Sequence, residues 1–194
     1  GVASHLEITG SNNTLEDWPT IASMTAKRQH VLASAPYITA QAMLSYGQGV
    51  QGAIIRGVLP AAEDKVADLG KSMRVGSLND LRAGEFGIIL GTDLAYNLGA
   101  QMGDKVVVMA PQGQFTPAGV VPRLKQFTVI GLFSSGMQEY DAGLALIHMD
   151  DAAKLYRMDN KVSGVRLKLD DLFLAPKMSA ELTKSLSQQV LSHE

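Results

Sequence analysis

Apolar positions along the chain recur in short runs, mostly with a period of two. His5–Thr9 alternates like a brief strand, and Ala53–Val58 is β-like. Val31–Ala33 and Ile38–Tyr46 read as two strands broken at Pro36. Gly87-Ile88-Ile89-Leu90 is a continuous apolar run of the kind a buried strand carries. Asp104–Met109, Phe127–Phe133 and Leu144–Ile147 add further strands. Val162–Leu169 alternates cleanly, with Val165, Leu167 and Leu169 on one face and Arg166 and Lys168 on the other.

Short helical patterns lie between these runs. Asp17 can cap a helix with Pro19 in its first turn, where a missing N–H costs nothing, and Trp18, Ile21, Ala22 and Thr25 then share a face. Pro60–Leu69 is predicted as a helix stopped by Gly70, and Thr92 caps one that runs to Leu98 and closes at Gly99. Asp150 caps a helix carrying Ala152, Ala153, Leu155 and Tyr156. The last helix begins near Pro176, with Leu174, Met178, Leu182, Leu186 and Val190 in a stripe at spacing four. Many short strands, without a regular alternation of strand and full-length helix, predict an α+β fold rather than a doubly wound parallel sheet.

Two glycine- and proline-rich segments interrupt the pattern. Gly47-Gln48-Gly49-Val50-Gln51-Gly52 matches G-x-G-x-x-G, but β-like residues follow it where a phosphate-binding loop needs a helix, so it is predicted as a hairpin turn. Pro111–Phe127 contains Pro111, Pro117 and Pro122 between two strand runs, together with Phe115, Val120, Val121 and Leu124. Proline bars a regular central strand, and the apolar content argues against disorder. The segment is predicted as a protruding, proline-stiffened hairpin with apolar side chains near its tip.

Charge and composition narrow the chemistry. The 194 residues carry 17 Lys plus Arg and 19 Asp plus Glu, a net charge of -2, which argues against nucleic-acid binding through a global basic field. Cysteine is absent, so disulfides, thiolate-ligated metals and a thiol nucleophile are excluded. No apolar stretch approaches the roughly 20 residues a membrane-spanning helix needs. His5, His30, His148 and His193 form no H-x-x-x-H or H-E-x-x-H pattern, and no metal site is expected. Ser134 and Ser135 follow a strand but stand in no G-x-S-x-G elbow, so a serine hydrolase is the least favoured reading and no catalytic residue is assigned. The acidic pairs Glu63-Asp64 and Asp170-Asp171 sit near helix starts, where capping and dipole complementarity explain them. Between Lys105 and Gln138 the charges are Lys105, Arg123 and Lys125, with no acid among them. A locally positive stretch around an apolar hairpin reads as a docking surface, with apolar anchors for affinity and rim charges for orientation.

Gly91-Thr92-Asp93-Leu94-Ala95, Leu98-Gly99 and Gly103-Asp104-Lys105-Val106 resemble a signature of the MacB-like periplasmic domains of ABC transporter permeases. Phe115-Thr116-Pro117-Ala118-Gly119, Pro122 and Phe127-Thr128-Val129-Ile130-Gly131 are similar to the LolC branch of the lipoprotein-releasing permeases. Ala35-Pro36-Tyr37-Ile38 and Arg56-Gly57-Val58-Leu59-Pro60 resemble LolE as much as LolC.

The resemblance implies a piece of a Gram-negative inner-membrane permease that lies between its first and second membrane helices and faces the periplasm. It implies a porter-like subdomain from residues 1–47 and 162–194, and an inserted β-rich Sabre-like subdomain at 48–161 with a hook hairpin at 111–127. The family continues into a further strand before its second membrane helix, and none is read after Glu194. The hook carries over to Phe115, Thr116, Pro117, Ala118, Gly119, Val120, Val121 and Pro122, and the basic pad beside it to Arg123 and Lys125. Val107 and Leu124 stand where polar or basic contacts are expected. The implied partners are the periplasmic chaperone LolA, outer-membrane-directed lipoproteins, a cytoplasmic ATPase subunit, and a second permease copy or paralogue. No cofactor is implied, and the absence of a G-x-x-x-x-G-K-[ST] loop leaves ATP hydrolysis to a separate subunit. The alternative within the same fold is a MacB- or FtsX-like domain that docks another adaptor or regulates an efflux or cell-wall system.

Overall fold

The computed structural model of the chain describes residues 6–186 and 189–192, with the backbone alone at 112–115 and 189–192. Its elements run β1 (Leu6–Thr9), α1 (Trp18–Ala26), β2 (Val31–Tyr46), β3 (Gly49–Val58), α2 (Pro60–Val66), β4 (Met73–Val75), β5 (Gly87–Gly91) and α3 (Thr92–Leu98). They continue with β6 (Lys105–Thr116), β7 (Gly119–Phe133), α4 (Gln138–Gly143), β8 (Leu144–His148), α5 (Met149–Leu155), β9 (Gly164–Leu169), α6 (Ala175–Leu186) and β10 (Gln189–Ser192). The fold is α+β, as the pattern predicts.

The chain divides into two compact units: Gly1–Ile38, Val58–Asp68 and Met158–Glu194 form one, and Thr39–Gly57 and Leu69–Arg157 the other. The first break falls inside β2, after Ile38 rather than after residue 47, and residues 58–68 join the first unit. The reason for the second difference is α2, which lies against β9.

In the first unit β1 pairs antiparallel with β9 and β10, and β9 pairs antiparallel with the start of β2. Leu6 stands opposite Leu167 and Ile8 opposite Val165, and all four are fully buried. The alternation of β9 is right, but its polar face is not solvated: Arg166 is buried because Glu63 of α2 meets it. Glu63 is therefore half of a buried ion pair, not a capping group. Pro36 does not break β2; it sits in register opposite Val165. In an antiparallel pair every second residue needs no N–H toward its partner strand, so proline fits there. The break in regularity comes earlier, as a shift between Val31 and Ala33.

Several helix ends differ from their sequence readings. Asp17 precedes α1 in a left-handed conformation, and its side chain makes no cap hydrogen bond. Trp18, Ile21, Ala22 and Thr25 do form the less exposed face of α1. Helix α2 ends at Val66, and Gly70 lies in a following 3-10 turn at Leu69–Ser72. Thr92 is the first helical residue of α3 rather than its cap, while Gly99 closes the helix at φ +80°. His148, not Asp150, caps α5: its Nδ1 accepts from the Asp150 amide at 3.0 Å. Asp171 does cap, accepting from the Phe173 amide at 3.0 Å. Met178 and Leu182 are buried on α6, but Val190 lies beyond the helix in β10, opposite Ile8. A strand thus does follow the last helix, where the sequence reading continued the helical stripe. The reading of His5 and His193 falls outside the described residues.

In the second unit β5 runs parallel to β7 and antiparallel to β8, while β6, and separately β4, pair antiparallel with β7. Residues 43–45 of β2 pair with 107–109 of β6. The G-x-G-x-x-G segment is a hairpin turn, with Gly47 at φ +55° between β2 and β3. Ile88, Ile89 and Leu90 of β5, the Leu144–Ile147 run of β8, and Phe127 and Phe133 of β7 make the core.

Candidate partner-docking surface

Strand β7 changes character along its length. From Phe127 to Phe133 it alternates buried and half-buried, but from Gly119 to Gln126 every residue is exposed except the half-buried Arg123. Its partner β6 does the same, with Val106, Val108 and Ala110 buried and Pro111 exposed. The two strands therefore form a core ladder up to Ala110 opposite Arg123, and an arm beyond it.

Proline shapes the arm. Between the pairs Ala110–Arg123 and Gln114–Val121, β6 carries three residues where β7 carries only Pro122. Pro122 has no N–H to give the ladder, and β6 bulges opposite it. The ladder resumes with Phe115 opposite Val120 and Thr116 opposite Gly119. Pro117 presets the φ of the first turn residue, and Gly119 takes φ +116°, which an L side chain rarely adopts. The Thr116 hydroxyl donates to the Gly119 carbonyl at 2.8 Å and ties the turn shut.

The residues expected to form a hook lie together at this tip. Pro117, Ala118, Gly119 and Pro122 are exposed and Thr116 half-buried. Val120 is 58% and Val121 49% exposed, and as consecutive strand residues they point to opposite faces of the arm. Phe115 has its backbone in the ladder; its side chain lies outside the described atoms.

Arg123 and Lys125, the residues expected to form a pad, sit at the base of the arm, each against a specific group. Lys125 Nζ stands 4.2 Å from the centroid of the Phe86 ring, in cation–π contact. Arg123 Nη1 donates to the Leu155 carbonyl at the end of α5, at 3.4 Å. Val107 is half-buried, and Leu124 is 59% exposed between the two cations. A cleft of about 340 Å³ opens here, walled by Arg123, Leu124 and Lys125 of β7, by Lys154 and Leu155 of α5 with Arg157 just after it, and by Phe86.

Phe86, Lys154 and Arg157 carry no signal in the sequence window around the hairpin, and fold topology alone brings them there. Phe86 holds φ +53°, unusual for a bulky residue and costing roughly 1–3 kcal/mol. Asp151, wholly buried in the first turn of α5, holds it by accepting from the Gly84 amide at 2.7 Å and the Phe86 amide at 3.1 Å. The ring packs edge-on against Phe127, centroids 5.5 Å apart. Helix α5 is tied in turn by Tyr156, whose hydroxyl donates to the Gln41 carbonyl at 2.8 Å; burial pushes this phenol well above its usual range.

The remaining candidates resolve as structural groups. The carboxylate of Asp141 accepts from the Ser135 amide at 2.7 Å, the Ser135 hydroxyl at 2.8 Å and the Gly136 amide at 3.1 Å. The serines flagged in the sequence thus bind a carboxylate that organises their turn. Burial disfavours the Asp141 charge, but these donors outweigh it and hold the carboxyl below its usual range. His30 Nδ1 lies 2.9 Å from Asp170. Among the described residues, no three His, Asp or Glu side chains gather to hold a metal ion, and no helix is long and apolar enough to cross a membrane.

A chain built this way, with an exposed hairpin arm on an α+β body, belongs to the MacB-like periplasmic core domain family, whose family model matches residues 3–185. Within it the chain is similar to a lipoprotein-releasing system transmembrane protein, LolC, of Neisseria meningitidis serogroup B: 49% identical over 181 residues, covering 93% of this chain and 44% of that protein. A LolC protein of Xylella fastidiosa is 41% identical over 186 residues, covering 96% and 45%. The chain thus spans less than half the length of these relatives. The periplasmic region of MacB from Actinobacillus actinomycetemcomitans has the same fold, with a TM-score of 0.66 at 15% identity over 100% of this chain and 89% of that one. So does the extracellular domain of the ABC-type transporter YknZ, at 0.61 and 12%, over 98% and 99%.

Proposed function

We propose that this chain is the periplasmic domain of a Gram-negative inner-membrane ABC permease that extracts outer-membrane-directed lipoproteins and docks the periplasmic chaperone LolA through the 115–122 hook. The domain is non-catalytic in this reading. ATP is hydrolysed on a separate cytoplasmic subunit, and the permease works with a second copy or a paralogue. The first unit serves as the porter-like part that couples to the membrane, and the second as the Sabre-like part that carries the hook and pad.

The observation that carries the reading is the pair Val120 and Val121, exposed on both faces of a turn that Pro117 and the Thr116–Gly119 bond hold in shape. An arm set in advance loses little conformational entropy on binding. Apolar side chains on both its faces need a partner surface to cover them. The likeness to LolC proteins of lipoprotein-releasing systems supports reading that partner as a component of such a system.

A photoreactive residue at Val121 in the membrane protein that carries this domain tests the reading in cells. The expected result is a crosslink to the LolA chaperone, identified by antibody and mass. A control at Tyr96, 85% exposed elsewhere in the second unit, should give none. Equal crosslinking at both positions, or none at Val121, would contradict the docking role.

A further inference from the structure

The first unit presents an apolar tip at one end of its sheet. Phe173 is 91% exposed, more than any other large apolar side chain among the described residues, and Leu32 and Leu172 are exposed beside it in the fold. Each is held out by a local device. Val31 pairs with Leu169 and Ala33 with Lys168, so Leu32 is the extra residue of a β-bulge, which turns it off the ladder. Leu172 and Phe173 sit on a 3-10 turn, Leu172–Leu174, that Asp171 caps.

The two segments are clamped together. The Asp170 amide donates to the His30 carbonyl at 3.0 Å, and the His30 ring lies 2.9 Å from the Asp170 carboxylate. The acids around the tip therefore have partners: Asp170 has His30, Asp171 has the Phe173 amide, and Glu181 has Arg28 at 3.7 Å. Lys27, which closes α1, and Lys177, in the first turn of α6, are exposed.

The flanking chain lies at the same end of the sheet. Leu6 stands opposite Leu167 in β9 and Ser192 in β10. Strand β1 runs away from this row and β10 runs toward it, while β9 continues past it to Leu169 and the tip. The LolC relatives are transmembrane proteins, of which the chain covers 44% and 45%.

We infer that Phe173, Leu172 and Leu32 enter the interfacial layer of the lipid bilayer and seat the first unit on the membrane. This rests on the permease reading, in which the chain lies between two membrane helices, so that both helices lead to the end that carries the tip. Two features favour lipid over a protein surface. The Phe173 ring stands nearly free of its own domain, and a fluid interface moulds around such a ring without a complementary pocket. Lysines beside exposed Phe and Leu are the composition that interfacial segments carry, because the ammonium groups meet lipid phosphates while the apolar groups sink below them.

A nitroxide label at Phe173→Cys, in the full membrane protein reconstituted in phosphatidylethanolamine–phosphatidylglycerol bilayers, tests this. The domain has no cysteine of its own, and any elsewhere in the protein are replaced. Collision with oxygen, which concentrates in lipid, is compared with collision with a water-soluble nickel chelate. The control is Glu16→Cys, whose side chain is 78% exposed, next to the Leu15–Val162 bridge at the opposite end of β9. The expected oxygen-to-nickel ratio at Phe173→Cys is about threefold or more above the control. A ratio equal to the control places the tip in water, and exclusion of both reagents places it under a protein surface. Either result, in a protein that stays in the bilayer, overturns the lipid contact and leaves the permease reading standing. A protein that alkaline carbonate strips from the membrane overturns the permease reading, and the lipid contact with it.

Discussion

The guanidinium of Arg166 on β9 lies 2.8 Å from the carboxylate of Glu63 on α2, with side-chain exposures of 6% and 0%. The guanidinium also stacks over the Tyr37 ring at 4.8 Å, and the Tyr37 hydroxyl donates to Glu7 at 3.1 Å. A buried pair adds little net stability over an apolar replacement, but removing one partner strands a charge away from water. Glu63→Ala or Arg166→Ala is therefore expected to destabilise the domain by about 3 kcal/mol or more, and Glu63→Leu with Arg166→Met to recover most of the loss. Urea unfolding of the two single variants and the double variant checks this.

Asp141 makes stability depend on pH with a definite sign. Its carboxyl is held below the usual range in the folded chain, so its contribution is complete above the unfolded value of about 3.9 and is lost as pH falls through the folded value. Asp141→Asn should be less stable than wild type at neutral pH. The gap should close as pH falls below about 4. Denaturant titrations at neutral and acid pH measure it, and a gap that widens on acidification would contradict the assignment.

Asp151→Ala leaves the Gly84 and Phe86 amides without their charged acceptor. A loss of about 2 kcal/mol or more is expected. Phe86 should then relax from positive φ and withdraw its ring from Lys125, which ring-current shifts at the Lys125 side chain would report.

Val120→Ser and Val121→Ser touch no core group. Each should change stability by no more than about 0.5 kcal/mol. The hairpin is an arm in this account, so deleting 115–122 should leave the rest of the domain folded. Loss of the cooperative thermal transition on deletion would show that the arm is part of the core.

Much of this architecture was legible in the period-two runs. The all-apolar run of β5 and the Gly47 turn formed where expected, because each depends on local pattern. The proline-bounded hairpin was legible for the same reason: Pro117 and Pro122 restrict the chain wherever it folds. Part of what failed depended on distant partners. Arg166 reads as a solvated position until α2 brings Glu63 to it, and Pro36 reads as a break until the register with Val165 spares its missing N–H. His148 outcompeted Asp150 as the cap of α5 through a ring nitrogen. The cleft was half legible. Arg123 and Lys125 belong to the hairpin's own sequence, but Phe86 and Lys154 reach it only through the ladder of β5 with β7 and the placement of α5.

Binding of the isolated domain to a purified LolA-type chaperone from the same organism, followed by calorimetry, tests the central claim most directly. Val120, Val121 and Leu124 are exposed apolar groups on an arm already set in shape, so binding of about micromolar order or tighter is expected. Phe115→Ala with Pro117→Ala should abolish the signal while the domain stays folded. A folded wild-type domain that shows no binding, or a double variant that binds as tightly as wild type, would contradict the hook.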